Sequence, residues 1–240
     1  MLDCGVCWVL IAIGAWVVYK VFKSGLLSKT QVSTTDKPAL ISKPLVVYYK
    51  HQIGHYKQSC ALMKEARSLL PSGATTFGIY YDDPDEVAEH LLQSAVGVVF
   101  AVDGENRYEQ NYAEQLTRHG YEKMSLPAVS KAVQATQPFD GFLSIIALVN
   151  NTYAAIKEYI KETRIETSVV LEFYTDSQVN VVLPLDHEKE FFVPEYMSTE
   201  ALESKMARKK FDSDESDSES EPDGEEDPED EEGDEEKKDQ

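Results

Sequence analysis

Sixteen consecutive residues without a charge, Cys4 to Tyr19, decide what the rest of this chain is free to become. The apolar run continues through Lys20-Val21-Phe22 to a second cation, Lys23. A helix over Cys4 to Phe22 is roughly 28 Å long at about 1.5 Å per residue, close to the ~30 Å hydrocarbon thickness of a bilayer. Its nine Val, Leu, Ile and Phe side chains together favour insertion by about 3–5 kcal/mol. Lys20 sits one turn from the end, where its ammonium can snorkel to the headgroups. A cleaved signal peptide needs positive charge ahead of the run and small residues at its close. Here Asp3 precedes the run, and bulky Trp16, Val17, Val18 and Tyr19 follow Ala15. Residues 1–23 therefore read as an uncleaved transmembrane anchor.

Lys20, Lys23 and Lys29 follow the anchor, whereas Asp3 lies ahead of it. The positive-inside bias places the N-terminus in the lumen and the bulk of the chain in the cytosol. Cysteine usage agrees, because Cys4 and Cys7 lie in the anchor and Cys60 stands alone beyond it. No disulfide framework is expected, and Cys60 reads as a small buried apolar group.

The other end has the opposite character. Asp212 to Gln240 holds 18 acidic residues and 2 lysines, a net of −16 out of the chain's −20. Two prolines are its only apolar side chains after Phe211, too few to offset the entropy of ordering, so residues 198–240 read as a linker and a disordered acidic tail. Such a tail repels phosphate and excludes nucleic acid as its direct partner. Ser216, Ser218 and Ser220 each have a carboxylate three residues on, a pattern that acidophilic kinases favour. The ending Lys237-Lys238-Asp239-Gln240 resembles a dilysine retrieval signal, which implies an endoplasmic-reticulum address read by coat proteins.

Between these ends, residues 24–43 are polar, broken by Pro38, and read as a membrane-proximal linker. Residues 44–197 carry strand and helix patterns in a repeated order. Leu45 to Lys50 is strand-like, Tyr56 to Leu70 helical with Tyr56, Cys60, Met63 and Leu70 on one stripe, and Thr75 to Tyr81 and Val96 to Val102 are strands. A short helix near Glu109 to Arg118, closed by Gly120, joins this half to the next. Ser130 to Gln137 is then a strand, and Asp140 an N-cap for a helix with Phe142, Ile145, Ile146, Val149, Tyr153, Ile156 and Ile160 on one stripe. Ser168 to Tyr174 and Gln178 to Leu185 form two more strands across a tight turn. The fold class is α+β: β-α-β-β twice, one sheet with helices on one face and a cleft on the other.

Tyr49-Lys50 with Gly54 and Tyr56, Ile79-Tyr80-Tyr81-Asp82-Asp83-Pro84, Leu171-Glu172-Phe173-Tyr174 and Phe192-Val193-Pro194-Glu195 are arranged as in GyrI-like domains. With the anchor, they resemble a family of endoplasmic-reticulum autophagy receptors that carry such a domain and a disordered tail. The resemblance implies a non-enzymatic receptor in selective autophagy of the reticulum, found also at autophagosomes. It implies ubiquitin-like autophagy modifiers as partners, directly or through a co-receptor. A tail motif, aromatic-x-x-aliphatic, would add a strand to the modifier's sheet. It further implies recruitment of the AAA ATPase valosin-containing protein to DNA–protein crosslinks at the nuclear envelope. This chain departs from the pattern at Phe211-Asp212-Ser213-Asp214, where an aspartate stands in the aliphatic position. Losing that apolar contact costs about 1.5–3 kcal/mol. Phe211 beside phosphorylated serines remains the partner-binding candidate.

The chemistry-bearing residue of the domain is Glu172. Alternation puts Val169, Leu171 and Phe173 on one face, read as the helix-covered one, and Val170, Glu172 and Tyr174 on the cleft side. In GyrI-like ligand-binding domains a glutamate at this place meets cationic aromatic compounds. Glu172, Tyr174 and, by repeat correspondence, Tyr81 are the ligand-pocket candidates, with Ile79 matching Glu172. Two readings stay open for Glu172: a bond to a tyrosine hydroxyl or backbone that holds the halves together, or a site for positive ligands or hydrolysis. His51 and His55 flank a strand end and a loop without a third ligand, so no metal is expected. The sequence holds no phosphate loop, no G-x-S-x-G elbow and no paired CxxC, and calls for no cofactor.

Overall fold

The structure is a computed structural model, and it describes residues 4–217. These fall into two units, one up to Met197 and one from Ser198 on. The first opens with α1 (Cys4–Lys23), whose Trp8, Leu10, Ile11, Trp16, Val18 and Phe22 side chains are each more than half exposed. Among the described residues no helix is long and apolar enough to cross a membrane; in α1 the described side chains start at Val6, and Met1 to Asp3 lie outside.

The chain then forms β1 (Val32–Thr35), β2 (Leu45–Ile53), α2 (Ser59–Ser68), β3 (Thr76–Tyr80) and β4 (Gln93–Val102). After β5 (Glu105–Asn106) come α3 (Gln110–Arg118), β6 (Glu122–Leu126), β7 (Ala132–Pro138) and α4 (Phe142–Ala147). A π-helical turn (Leu148–Thr152) leads into α5 (Tyr153–Thr163), and β8 (Val170–Tyr174) and β9 (Gln178–Pro184) close the series. All strands join one antiparallel sheet ordered β1-β7-β9-β8-β3-β4-β2-β6, with β5 on β4. The two expected β-α-β-β halves are visible in that order, which reads outward from the central β8–β3 pair as β8-β9-β7 and as β3-β4-β2. Gly78 lies opposite Glu172 where the halves meet, and this register makes Tyr80 the counterpart of Tyr174.

Both faces of the sheet are covered. On one, α2, α4 and α5 bury Val96, Val133, Val179 and Val181, and α3 joins α2 over Val98 and Phe100. On the other, Phe77, Ile79, Leu171 and Phe173 pack against Ile41, Phe191 and Val193, all 3% exposed or less. The expected open cleft on the helix-free face is therefore filled, because four large apolar side chains there would otherwise stay wet. The expected linker of residues 24–43 supplies part of the filling. Its β1 pairs with β7 from Val32↔Ala135 to Thr35↔Ala132, and Ile41 is fully buried.

Three local expectations also change. Helix α2 buries Ser59, Met63 and Ala66, at the i, i+4, i+7 spacing of one stripe, which leaves Cys60 exposed, not buried. Asp140 is not an N-cap; α4 starts after Gly141 (φ 96°), and the Asp140 carboxylate accepts from Lys20 Nζ at 2.9 Å. The single stripe from Phe142 to Ile160 is broken by the π turn, whose extra residue rotates the helix face. Ser144, Ala147, Leu148, Thr152 and Ile156 are buried, while Phe142 and Val149 are 77% and 59% exposed. Polar anchoring fixes that rotation: Gln137 Nε2 donates to the Ser144 carbonyl at 2.8 Å, and the Thr152 hydroxyl donates to Gln137 Oε1.

In the second unit, α6 (Thr199–Asp217) occupies residues expected as linker and extended tail. Ala201, Leu202, Glu203, Lys205, Met206, Ala207 and Arg208 favour helix, and Ser198 Oγ accepts from the Ala201 N–H at 3.3 Å. Phe211 and Ser216 lie on α6, whereas Ser218, Ser220, Lys237 and Lys238 lie outside the described residues.

Candidate functional site

Strand β8 carries Glu172 between Leu171 and Phe173, and parity sends its side chain to the helix-covered face. This reverses the expected orientation: Leu171 and Phe173 face the segments around Ile41 and Phe191, and Glu172 lies under the helices. The residue is 4% exposed. Its Oε1 accepts from the Tyr153 hydroxyl of α5 at 2.6 Å, and its Oε2 accepts from the Tyr174 hydroxyl at 2.6 Å. Tyr80 of β3 donates a third hydroxyl.

Room for this arrangement comes from a missing side chain. Gly78 faces Glu172 across the β3–β8 pair, and a Cβ there would lie 2.9 Å from the Tyr80 ring and 2.9 Å from Met63 Cε. The Tyr80 ring is also held edge-on by Tyr56, with centroids 4.8 Å apart. Phe139 packs edge-on against Tyr174 at 5.2 Å.

Burial raises the Glu172 carboxyl above its ordinary value, and the three hydroxyl donors pull it back only in part. Burial likewise holds Tyr80, Tyr153 and Tyr174 well above the usual phenol value, with the carboxylate adding to the effect. The arrangement stores a carboxylate, or its proton, in an apolar interior with its acceptor capacity met by phenols. Two surface depressions lie elsewhere, one at α3 beside Tyr48 and one at β5 beside Lys43, and neither is lined by Glu172.

Of the ligand-pocket candidates, Glu172 and Tyr174 come together and Tyr81 does not. Tyr81 faces the opposite side, where its hydroxyl donates to the Phe191 carbonyl at 3.1 Å and accepts from the Val193 N–H at 3.3 Å. The repeat correspondence slips by one residue, so Gly78, not Ile79, matches Glu172, and a one-residue slip exchanges the faces of a strand. The residues that complete the cage, Tyr80 and Tyr153, carry little sequence signal. Tyr80 sits beside a second tyrosine, and only the β3–β8 register separates the two. Tyr153 falls in a run of apolar residues, where it reads as core.

On the other face, Phe192-Val193-Pro194-Glu195 forms a clasp. Tyr49 donates to Glu195 Oε2 at 3.1 Å. Gln93 Nε2 donates to the Met197 carbonyl at 2.8 Å, and the Met197 N–H donates to Gln93 Oε1 at 3.2 Å. His51 lies beside this clasp with its imidazole lowered by burial. His55 has other contacts, accepting from the Lys57 N–H and facing Glu89 at 3.4 Å. Among the described residues no group of three or more His, Cys, Asp or Glu is placed to hold a metal ion.

Fold and site together define a mixed α+β domain on one antiparallel sheet, doubled from two halves around a buried carboxylate. The chain matches no protein-family model. It is similar to human Testis-expressed protein 264 (Homo sapiens), 31% identical over 177 residues that make up 74% of this chain and 55% of the relative. The Testis-expressed protein 264 homolog of Mus musculus is 30% identical over 177 residues, 74% of this chain and 56% of the relative. The chain thus spans a little over half the length of these relatives. Among solved structures, the EcmrR C-terminal domain overlaps 65% of this chain and 96% of its own at a TM-score of 0.40 and 18% identity. A hydrolase from Listeria innocua overlaps 65% of this chain and 90% of its own at a TM-score of 0.35 and 9% identity. Overlaps this loose bear on neither fold nor chemistry.

Proposed function

We propose that this chain is a single-pass protein of the endoplasmic-reticulum membrane whose GyrI-like cytosolic domain serves as a receptor or adaptor in selective autophagy of the reticulum. It works through protein–protein contacts and not by catalysis. The observation that carries this reading is α1, where apolar side chains project around the whole circumference and, of those described, all but the half-buried Val21 are exposed. A helix apolar on every side belongs in a core or a bilayer. Similarity to Testis-expressed protein 264 and the resemblance to reticulum autophagy receptors support the same reading. The interior supports it too, since the acceptors of Glu172 are taken by the domain's own tyrosines.

Phe211 lies on α6, and docking by strand addition would first require that helix to unwind. Recruitment of ubiquitin-like modifiers is therefore assigned to a co-receptor, or to Phe211 after phosphorylation of the serines that follow it. Alkaline carbonate extraction of microsomes should leave the chain in the membrane pellet. Blocking autophagosome formation should lengthen its lifetime in starved cells. Release by carbonate, or a lifetime indifferent to the block, would remove the reading. A second reading rests on the cage itself: a carboxylate ringed by three tyrosines has the composition of a site for organic cations. Such a ligand must displace the Tyr153 or Tyr174 hydroxyl, so added aromatic cations should shift tyrosine absorbance in the wild type and not in Glu172→Gln.

A further inference from the structure

From Gly141 to Ile156 the sequence has no charged residue, and this stretch forms α4, the π turn and the start of α5. Its buried side is accounted for by Ser144, Ala147, Leu148 and Thr152. Its outer side is apolar as well, with Phe142 77% exposed, Val149 59% exposed and Ile146 half-buried between them. The contrast lies within one continuous helical segment, because α5 presents Lys157, Glu158, Lys161 and Glu162 to solvent. A soluble surface helix shows the α5 pattern throughout. The α4 pattern calls for an apolar neighbour on its outer face.

The position of α4 says which neighbour. Its start is joined to the end of α1 by the Lys20–Asp140 ion pair at 2.9 Å. Asn151 in the π turn donates to the Leu26 carbonyl at 2.9 Å, and the Thr30 and Thr152 hydroxyls are 3.0 Å apart. Gly25 lies against Pro138, where a Cβ would be 3.3 Å from Cδ. Leu27, in the same connection, is 74% exposed, and Lys23 and Lys29 flank it. The exposed apolar face thus lies at the level of the lysines that end α1, which is headgroup level if α1 is embedded.

We propose that Phe142, Ile146, Val149 and Leu27 form a shallow membrane-binding surface that rests in the leaflet holding α1. Phospholipid is the occupant: acyl carbons meet the apolar strip, and anionic headgroups meet Lys23 and Lys29. The proposal rests on the membrane reading of α1, and its test separates the two.

The full chain, with Cys4, Cys7 and Cys60 replaced by serine, is placed one copy per nanodisc of phosphatidylcholine and phosphatidylserine. A nitroxide is attached through Val9→Cys, Phe142→Cys, Val149→Cys or Glu158→Cys. Collision with oxygen, which concentrates in lipid, is compared with collision with a water-soluble nickel chelate. Labels at 142 and 149 should show an oxygen-to-nickel ratio severalfold above that at 158 and on the side of that at 9. The proposal is overturned if 142 and 149 match 158 while 9 still reads lipid, which leaves the anchor intact. Shielding of 142 from both reagents would mean that protein covers the strip, and that too overturns it. An aqueous reading at 9 removes the anchor and this surface together.

Discussion

The first β-α-β-β half reaches the centre of the sheet with Gly78 on β3; the second reaches the same place with Glu172 on β8. The halves agree at the next inward-facing position, where Tyr80 and Tyr174 both supply hydroxyls to that carboxylate. One strand step further out, Gly97 of the first half corresponds to Val182 of the second, both on the face covered by Ile41 and Phe191. Duplication thus keeps strand order and hydroxyls while it makes room differently in each half. The first half gives up side chains so that a ring or a backbone can approach; the second fills the space with a carboxylate and a valine. The helices diverge in the same way, α2 being one short piece and its counterpart a longer one broken by a π turn.

This asymmetry can be broken at its tightest point first. A Cβ at Gly97 would sit 1.8 Å from the Tyr48 carbonyl oxygen, so Gly97→Ala must push strand backbones apart. Its expected cost is about 3 kcal/mol or more. Val182→Ala, at the matching position, removes two methyl groups and costs roughly 2 kcal/mol. Urea unfolding of both variants tests the comparison, and equal midpoints would erase the distinction between halves there.

The hydroxyls come next in size. Tyr153→Phe leaves a carboxylate oxygen short of a donor and should cost about 1.5–3 kcal/mol, whereas Tyr81→Phe, which loses neutral bonds to backbone, should cost about 1 kcal/mol. Reversal of that order in urea unfolding would show that Glu172 is already protonated in the folded domain at neutral pH.

A related effect appears as a slope with pH. Because the folded carboxyl of Glu172 is raised, the folded state holds its proton to higher pH than the unfolded chain does. Its contribution is most favourable below the ordinary carboxylate range and is lost as pH rises through the raised value. Glu172→Gln should remove that decline. His51 runs oppositely, since burial lowers its imidazole. Its contribution is complete above the ordinary imidazole value and is lost as pH falls toward the lowered one, so His51→Gln should flatten the acid side. Unfolding midpoints across about pH 4–8 separate the two. The smallest effect belongs to the exposed Lys20–Asp140 pair, where Asp140→Ala should cost under about 1 kcal/mol.

Much of the fold was legible because its signals are local. The run of β-branched and aromatic residues from Leu45 to Tyr49, the alternation from Val169 to Tyr174, Gly120 after α3 and the turn before Gln178 marked elements that the structure contains. What escaped depends on partners distant in sequence. The face of Glu172 follows from register across the sheet centre, which periodicity in one strand cannot supply. Residues 24–43 looked like a linker because a four-residue edge strand is too short to show a period. Asp140 suited an N-cap by type, but Lys20, far away in sequence, claims its carboxylate. The carboxylate itself was legible as the polar residue in an apolar strand; Tyr153 was not, because a hydroxyl at the end of a ring leaves the apolar pattern unchanged.

Stitching β1 onto the sheet edge has a mechanical consequence. Any tension applied through α1 reaches the domain across a few part-buried hydrogen bonds and then a four-pair antiparallel ladder, before it reaches the deeply packed strands. That ladder is the first cooperative joint on the load path. When it peels, about a dozen residues (24–35) become free, and at about 3.3 Å each they release roughly 40 Å of slack, while Ile41 stays buried and the remaining strands stay paired. The tether length of this molecule is therefore not fixed but depends on how hard it is pulled.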